Sequence, residues 1–179
     1  MSIRIAGIES ESIVDGPGFR FAVYTQGCPH ACPGCHNPET HDPDGGREAD
    51  TEDMIARMRQ NPLLDGITLT GGDPFLQPEA CLSLARAAHK QGMNVWAYSG
   101  QTLEQLLALR AERPFLRELL EEIDVLVDGP FLLERRTLDL RFRGSDNQRV
   151  IDMPETLRRG AVVEKPPGLW YTENKLRAF

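Results

Sequence analysis

Between residues 19 and 128 the chain alternates short apolar strands with helical stretches, and this alternation restricts the fold more than any other feature. The run from Phe19 to Thr25 alternates aromatic and β-branched residues with others and reads as a strand. Gly66 to Thr70, Asn94 to Tyr98 and Asp124 to Val127 read the same way. Between them lie helical patterns. One starts at about Thr51 with Met54, Ile55 and Met58 on one face; the next runs from Pro78 to Gln91, with Pro in its first turn and Gly92 just beyond its end. Two more cover Thr102 to Arg110 and Phe115 to Glu122. Strands separated by helices form a parallel sheet through right-handed crossovers, so the fold class is α/β. Asp42 to Asp50, rich in Asp and Gly, reads as a loop. Ligands of α/β folds collect at the carboxyl ends of the strands. The turns beginning at Gln26, Thr70, Tyr98 and Asp128 all fall at that end.

The first of those turns carries Cys28, Cys32 and Cys35, within the run Gly27-Cys28-Pro29-His30-Ala31-Cys32-Pro33-Gly34-Cys35-His36-Asn37. The chain has only one other cysteine, Cys81, so this is a metal-ligand arrangement. Thiolates are the soft ligands of zinc and of iron–sulfur clusters, and Pro29, Pro33 and Gly34 give the loop tight turns with which to wrap one. A structural zinc site needs a fourth ligand, which His30, His36 or His41 could supply. Three thiolates on a four-iron cluster leave the fourth iron open to another ligand. Composition narrows the partners. A net charge of −7, from 20 basic and 27 acidic residues, argues against nucleic acid. There is no apolar run of bilayer length, and Met1 to Gly7 lacks the apolar stretch of a signal peptide. Cysteines in such a chain are expected to be reduced thiols in the cytoplasm.

The cysteine spacing, with three and then two intervening residues, resembles that of radical S-adenosylmethionine (SAM) enzymes. The Cys35-His36-Asn37-Pro38 ending resembles the cluster loop of activating enzymes for glycyl-radical proteins. Gly34 stands where many members of the superfamily carry a large residue before the third cysteine, as in the activases of anaerobic ribonucleotide reductase. Upstream, Asp15-Gly16-Pro17-Gly18-Phe19-Arg20 resembles the Asp-Gly-Pro-Gly-x-Arg element of glycyl-radical activases; alone it would read as a turn. Thr70-Gly71-Gly72-Asp73-Pro74 resembles the Gly-Gly-Glu-Pro motif, with Asp73 in the place of Glu. Arg143-Gly144-Ser145-Asp146-Asn147-Gln148-Arg149 resembles a stretch near the C-terminus of the ribonucleotide reductase activases; by charge alone it would be a basic surface loop.

That resemblance, running from about Gly7 to Asp152, implies a single radical SAM domain over residues 1–179, with its core at about 7–152 and a tail at 153–179. It implies an open partial (β/α) barrel of parallel strands with outer helices. Cys28, Cys32 and Cys35 would hold a 4Fe–4S cluster whose open iron binds SAM. Gly71, Gly72 and Asp73 would hold the methionine end of SAM, and the backbone of Gly34, Cys35 and His36 its adenosine end. Ser99 is a candidate polar contact to SAM, and Asp128 a candidate acid near its amino group or near a monovalent cation. The implied reaction is reductive cleavage of SAM to methionine and a 5′-deoxyadenosyl radical, which takes a hydrogen atom from a glycine of anaerobic (class III) ribonucleoside-triphosphate reductase. The electron would come from a flavodoxin or ferredoxin. Small 7-carboxy-7-deazaguanine synthases share the cysteine and Gly-Gly motifs, but the Asp15–Arg20 and Arg143–Arg149 elements speak against them. A closed metal or redox module is the alternative from another class. Cys81 is expected to be a buried helix residue. His89 is expected on a helix surface, His30 and His41 in loops, and Glu121-Glu122 at a solvated helix end. In the tail, Trp170 and Tyr171 are expected to pack or dock.

Overall fold

Apolar residues at every second position of four consecutive strands force a sheet with two different faces, because side chains alternate along a strand. In the computed structural model, which describes residues 1–166, these strands are β2 (Arg20–Thr25), β4 (Gly66–Gly71), β5 (Asn94–Tyr98) and β6 (Val125–Asp128). They pair in parallel: Arg20 lies opposite Gly66, Gly66 opposite Asn94, and Trp96 opposite Val125. Phe21, Val23, Ile67, Leu69, Val95, Ala97 and Leu126 face the main core. Their neighbours Arg20, Tyr24, Thr68, Thr70, Trp96 and Tyr98 therefore point the other way.

The helices cover the first face. Helix α1 (Thr51–Gln60) is capped by the Asp50 carboxylate, which accepts from Glu52 N, and it buries Met54, Ile55 and Met58 as the periodicity requires. Helix α2 (Pro78–His89) buries Cys81, Leu84, Ala85 and Ala88. Helix α3 (Leu103–Leu109) opens with a capping box between Thr102 and Gln105. Helix α4 (Leu116–Glu122) adds Leu119 and Leu120 to the same core.

Three further strands flank the parallel core, and all three run antiparallel to their neighbours. The sheet has seven strands in the order β3-β1-β2-β4-β5-β6-β7. Strand β1 (Ser2–Ser12) pairs with β2, and β3 (Arg47–Asp50) closes that edge against β1. The expected loop from Asp42 to Asp50 thus ends in a strand. Its Arg-Glu-Ala-Asp sequence shows no alternation because it is a short exposed edge, where charge blocks unwanted pairing. At the other edge β7 (Arg149–Asp152) runs back along β6 and leads into α5 (Met153–Arg159), capped by Asp152. The architecture is therefore mixed α/β, with parallel pairing confined to the four central strands. Trp170 and Tyr171 lie outside the described residues.

His89, at the end of α2, does more than decorate the surface. Its Nδ1 lies 2.9 Å from Glu122 and its Nε2 3.0 Å from Asp124, tying α2 to the turn before β6. The Asp124 hydrogen bond, reinforced by Glu122, raises its pKa to about 9. The protonated, paired form is favoured in the folded state, so this stabilisation is complete below the unfolded value of 6.5 and is lost as pH rises towards 9. The urea midpoint should fall between those pH values in the wild type by more than in His89→Gln. Equal slopes would show that the pair contributes nothing.

Candidate active site

The cysteine loop leaves the end of β2 and is pinned by backbone bonds to its surroundings. Gly27 N donates to Thr40 O at 2.8 Å and Cys28 N to His41 O at 3.1 Å. On its other side Gly72 N donates to Thr25 O and Asp73 N to Gly27 O, each at 2.8 Å. The loop and the Gly-Gly turn are thus one hydrogen-bonded unit.

Both glycines are required by this approach. A Cβ on Gly71, whose φ is +92°, would lie 2.6 Å from Tyr24 Cα, and one on Gly72 would lie 2.3 Å from Gly27 O. Packing therefore accounts for the pair apart from any ligand, since no side chain fits between these backbones.

A cavity of about 470 Å³ opens at this end of the sheet. Cys28, Cys32, Cys35 and His36 line one side of it, with Gly71, Gly72 and Ser99 also on its wall. All three cysteines are free and partly exposed, whereas Cys81 is buried. Burial pushes the Cys28 thiol up, while backbone N–H groups of His30 and Ala31 donate to it and act in the opposite direction. Asn37 N donates to Cys35 Sγ at 3.4 Å. Hydrogen bonds of this kind tune the potential of a cluster held by such sulfurs. Among the described residues, no three His, Cys, Asp or Glu side chains converge on a point suited to one metal ion. A four-iron cluster spaces its thiolates more widely than one ion does.

Not every candidate reaches the cavity. Asp73 is fully buried beneath it, accepting from Phe75 N at 3.0 Å and Ser99 Oγ at 2.8 Å and lying 3.2 Å from His30 Nε2. Asp128 is also buried. Its carboxylate accepts from Leu103 N at 2.7 Å and from Arg149 Nε at 2.9 Å, which ties the start of α3 to β7. Those bonds engage both its oxygens, and Asp128 is not among the residues that line the cavity. Arg149 also reaches Glu104, whose carboxyl it holds at about 2. Gly34 is not among the lining residues; a Cβ there would meet Leu133 Cδ1 at 2.9 Å. His36 packs against the Phe131 ring with centroids 5.3 Å apart.

The cavity also contains residues that motif reading left without a role. Asp15 accepts from Tyr24 Oη at 2.7 Å and from Ser12 Oγ, and both Asp15 and Tyr24 line the wall. Burial, with the Asp15 bond next, pushes the Tyr24 phenol upward, so it stays a neutral donor. Tyr24, Thr70 and Tyr98 sit on the same face of three adjacent strands, a parity that strand alternation alone could have revealed. Phe142, Arg143, Gly144 and Gln148 complete the wall from the segment between β6 and β7. Arg20 lies fully buried below, its Nε donating to Thr68 Oγ1 at 3.0 Å while Thr68 Oγ1 donates to Asp15 O at 2.8 Å.

Comparison with known proteins agrees with this geometry. The family model described as a 4Fe–4S single cluster domain matches residues 14–151. The anaerobic ribonucleoside-triphosphate reductase-activating protein of Salmonella typhimurium is 35% identical over 147 residues, covering 77% of this chain and 91% of that protein. Its Escherichia coli counterpart is 32% identical over the same length. The pyruvate formate-lyase-activating enzyme of Clostridium pasteurianum is 40% identical over 96 residues, which cover 51% of this chain and only 40% of that enzyme. A three-cysteine loop, a matching family model and reductase-activating relatives similar along most of their length lead to one assignment: the chain belongs to the 4Fe–4S single cluster domain family, among the radical SAM activating proteins.

Proposed function

We propose that this protein is a radical SAM activase that generates a glycyl radical on an anaerobic ribonucleoside-triphosphate reductase. The observation that carries the reading is one cavity lined both by three free thiols from a single loop and by the bare backbone of Gly71 and Gly72. Such a donor set suits a cluster with one iron left open. Cys28, Cys32 and Cys35 would hold three irons, and the Gly71–Gly72 backbone the methionine end of SAM. Ser99 and the backbone about Cys35–His36 would complete the SAM site. Held there by these residues, a reduced cluster would supply the one electron needed for reductive cleavage of the SAM sulfonium to methionine and a 5′-deoxyadenosyl radical, which would take a hydrogen atom from a glycine of the partner.

The chain's own residues provide placement and shielding. Tyr24 and Asp15 fix one wall by their mutual hydrogen bond, and Phe131 and Phe142 supply apolar surface opposite, where a carbon radical must be kept from water. Asp73 and Asp128 act by holding loops and strands in place. The same reading takes the sheet as an open partial (β/α) barrel, residues 1–179 as one domain with its core at 7–152, and a flavodoxin or ferredoxin as electron donor. It places the protein in the cytoplasm, where thiols stay reduced. Among the described residues, no helix is long and apolar enough to cross a membrane.

Pyruvate formate-lyase is the second candidate target, favoured by the 40% identity to its activating enzyme over 96 residues. The reductase is preferred because the match covers 91% of the reductase-activating relative against 40% of that enzyme. The first test is chemical: protein reconstituted anaerobically with iron and sulfide, reduced with dithionite, should convert SAM to 5′-deoxyadenosine. Tight binding of one zinc without sulfide, and no cleavage, would remove the reading.

A further inference from the structure

His30 stands between Cys28 and Cys32, in the loop that carries all three cysteines. Its side chain reaches across to the Gly-Gly turn, with Nε2 3.2 Å from Asp73 Oδ2. Asp73 is wholly buried and also accepts from Ser99 Oγ at 2.8 Å, so one carboxylate joins the cysteine loop, the Gly71–Gly72 turn and the end of β5. The imidazole packs against the chain at Gly100, where a Cβ would come within 2.4 Å of His30 Cδ2. The next residue, Ala31, has a φ of +44°, an unusual value for a residue with a side chain.

We propose that His30 is a positioning residue: through Asp73 it fixes the cysteine loop against the Gly-Gly turn, and thereby sets both the placement of the cysteines and the fit of SAM. The proposal rests on the radical SAM reading. Loss of the ring removes the contact with Asp73, frees the loop and lets the cysteines shift relative to Gly71 and Gly72. Outer groups of this kind typically cost tenfold or more when removed.

The test uses reconstituted holoprotein in five forms: wild type, His30→Ala, His30→Gln, Asp73→Asn and the double variant His30→Ala with Asp73→Asn. Iron and sulfide content, SAM affinity and the cluster midpoint potential followed by EPR are measured for each. His30→Ala should bind SAM about tenfold more weakly, with a potential shifted from that of the wild type. His30→Gln, whose amide can still donate to Asp73, should recover much of both. The double variant should be no weaker than Asp73→Asn alone, because the two residues act as one unit. Wild-type affinity and potential in His30→Ala would overturn the proposal, as would additive losses in the double variant. Iron loss in His30→Ala that His30→Gln does not restore would also overturn it, and so would a nitrogen hyperfine coupling from His30 at the cluster. Wild-type protein that holds four irons yet binds no SAM would instead remove the functional reading, leaving the potential shift to judge His30.

Discussion

Replacing Cys28, Cys32 or Cys35 singly by alanine should reduce SAM cleavage to background, whereas Cys81→Ala should leave it intact. The three loop thiols line the cavity and are open to iron. A cluster held by only two protein thiolates in a partly exposed loop lacks the ligands to stay bound. Cys81 has none of these properties. It is fully buried in α2, and burial pushes its thiol up to about 12, so it stays protonated among Leu84, Ala85 and their neighbours. Cys81→Ala should cost only about 1 kcal/mol of stability through lost packing. Four irons with acid-labile sulfide should be found in Cys81→Ala, with a large shortfall in each loop variant. Full cleavage by any of the three loop variants would remove that cysteine from the cluster.

Arg20→Leu should produce a large loss of stability. Arg20 is 0% exposed, and its guanidinium donates to Thr68 Oγ1 at 3.0 Å, Asn94 Oδ1 at 2.5 Å and Ile67 O at 2.5 Å. It also lies 5.8 Å from the Trp96 ring centroid. Burial lowers its pKa to about 10, which leaves it charged at neutral pH. Leucine would leave several buried acceptors without a donor, at roughly 3 kcal/mol in total. For a domain of this size that is a fall in Tm of about 6–12 °C. Arg20→Lys should recover only part of it, because an ammonium cannot span three separate acceptors as a planar fork does. Thr68 links Arg20 to the Asp15 backbone, so Arg20→Leu should also weaken SAM cleavage. A thermal midpoint unchanged from wild type would contradict this account of Arg20.

The central helices and parallel strands were legible in the sequence because each repeats a period. Met54, Ile55 and Met58 mark the buried face of α1, and Phe21 and Val23 mark that of β2. The antiparallel edges were not legible. β3 is four residues of Arg, Glu, Ala and Asp, and its strand character comes only from pairing with Ser2 to Ile5. β7 begins at the last residue of the Arg143–Arg149 motif, and its direction is a property of the loop that precedes it. At the site, cysteine spacing pointed to the loop that lines the cavity, and the Gly-Gly pair pointed to the turn beside it. The carboxylates were harder, since a strand-end Asp reads as solvated or ligand-facing until its partners are known. Asp73 and Asp128 proved to be buried, each bonded to groups distant in sequence. The same long-range bonds gave His30 its significance, which no local pattern carried.

The most direct test of the central claim is an EPR measurement on the partner. Reconstituted protein, SAM, a one-electron donor and an anaerobic ribonucleoside-triphosphate reductase are combined without oxygen, with pyruvate formate-lyase in a parallel sample. The account predicts a stable glycyl-radical doublet in the reductase, dependent on SAM and absent with Cys28→Ala, and little or none in the lyase. SAM cleavage without a radical in the reductase, or a radical formed only in the lyase, would contradict it.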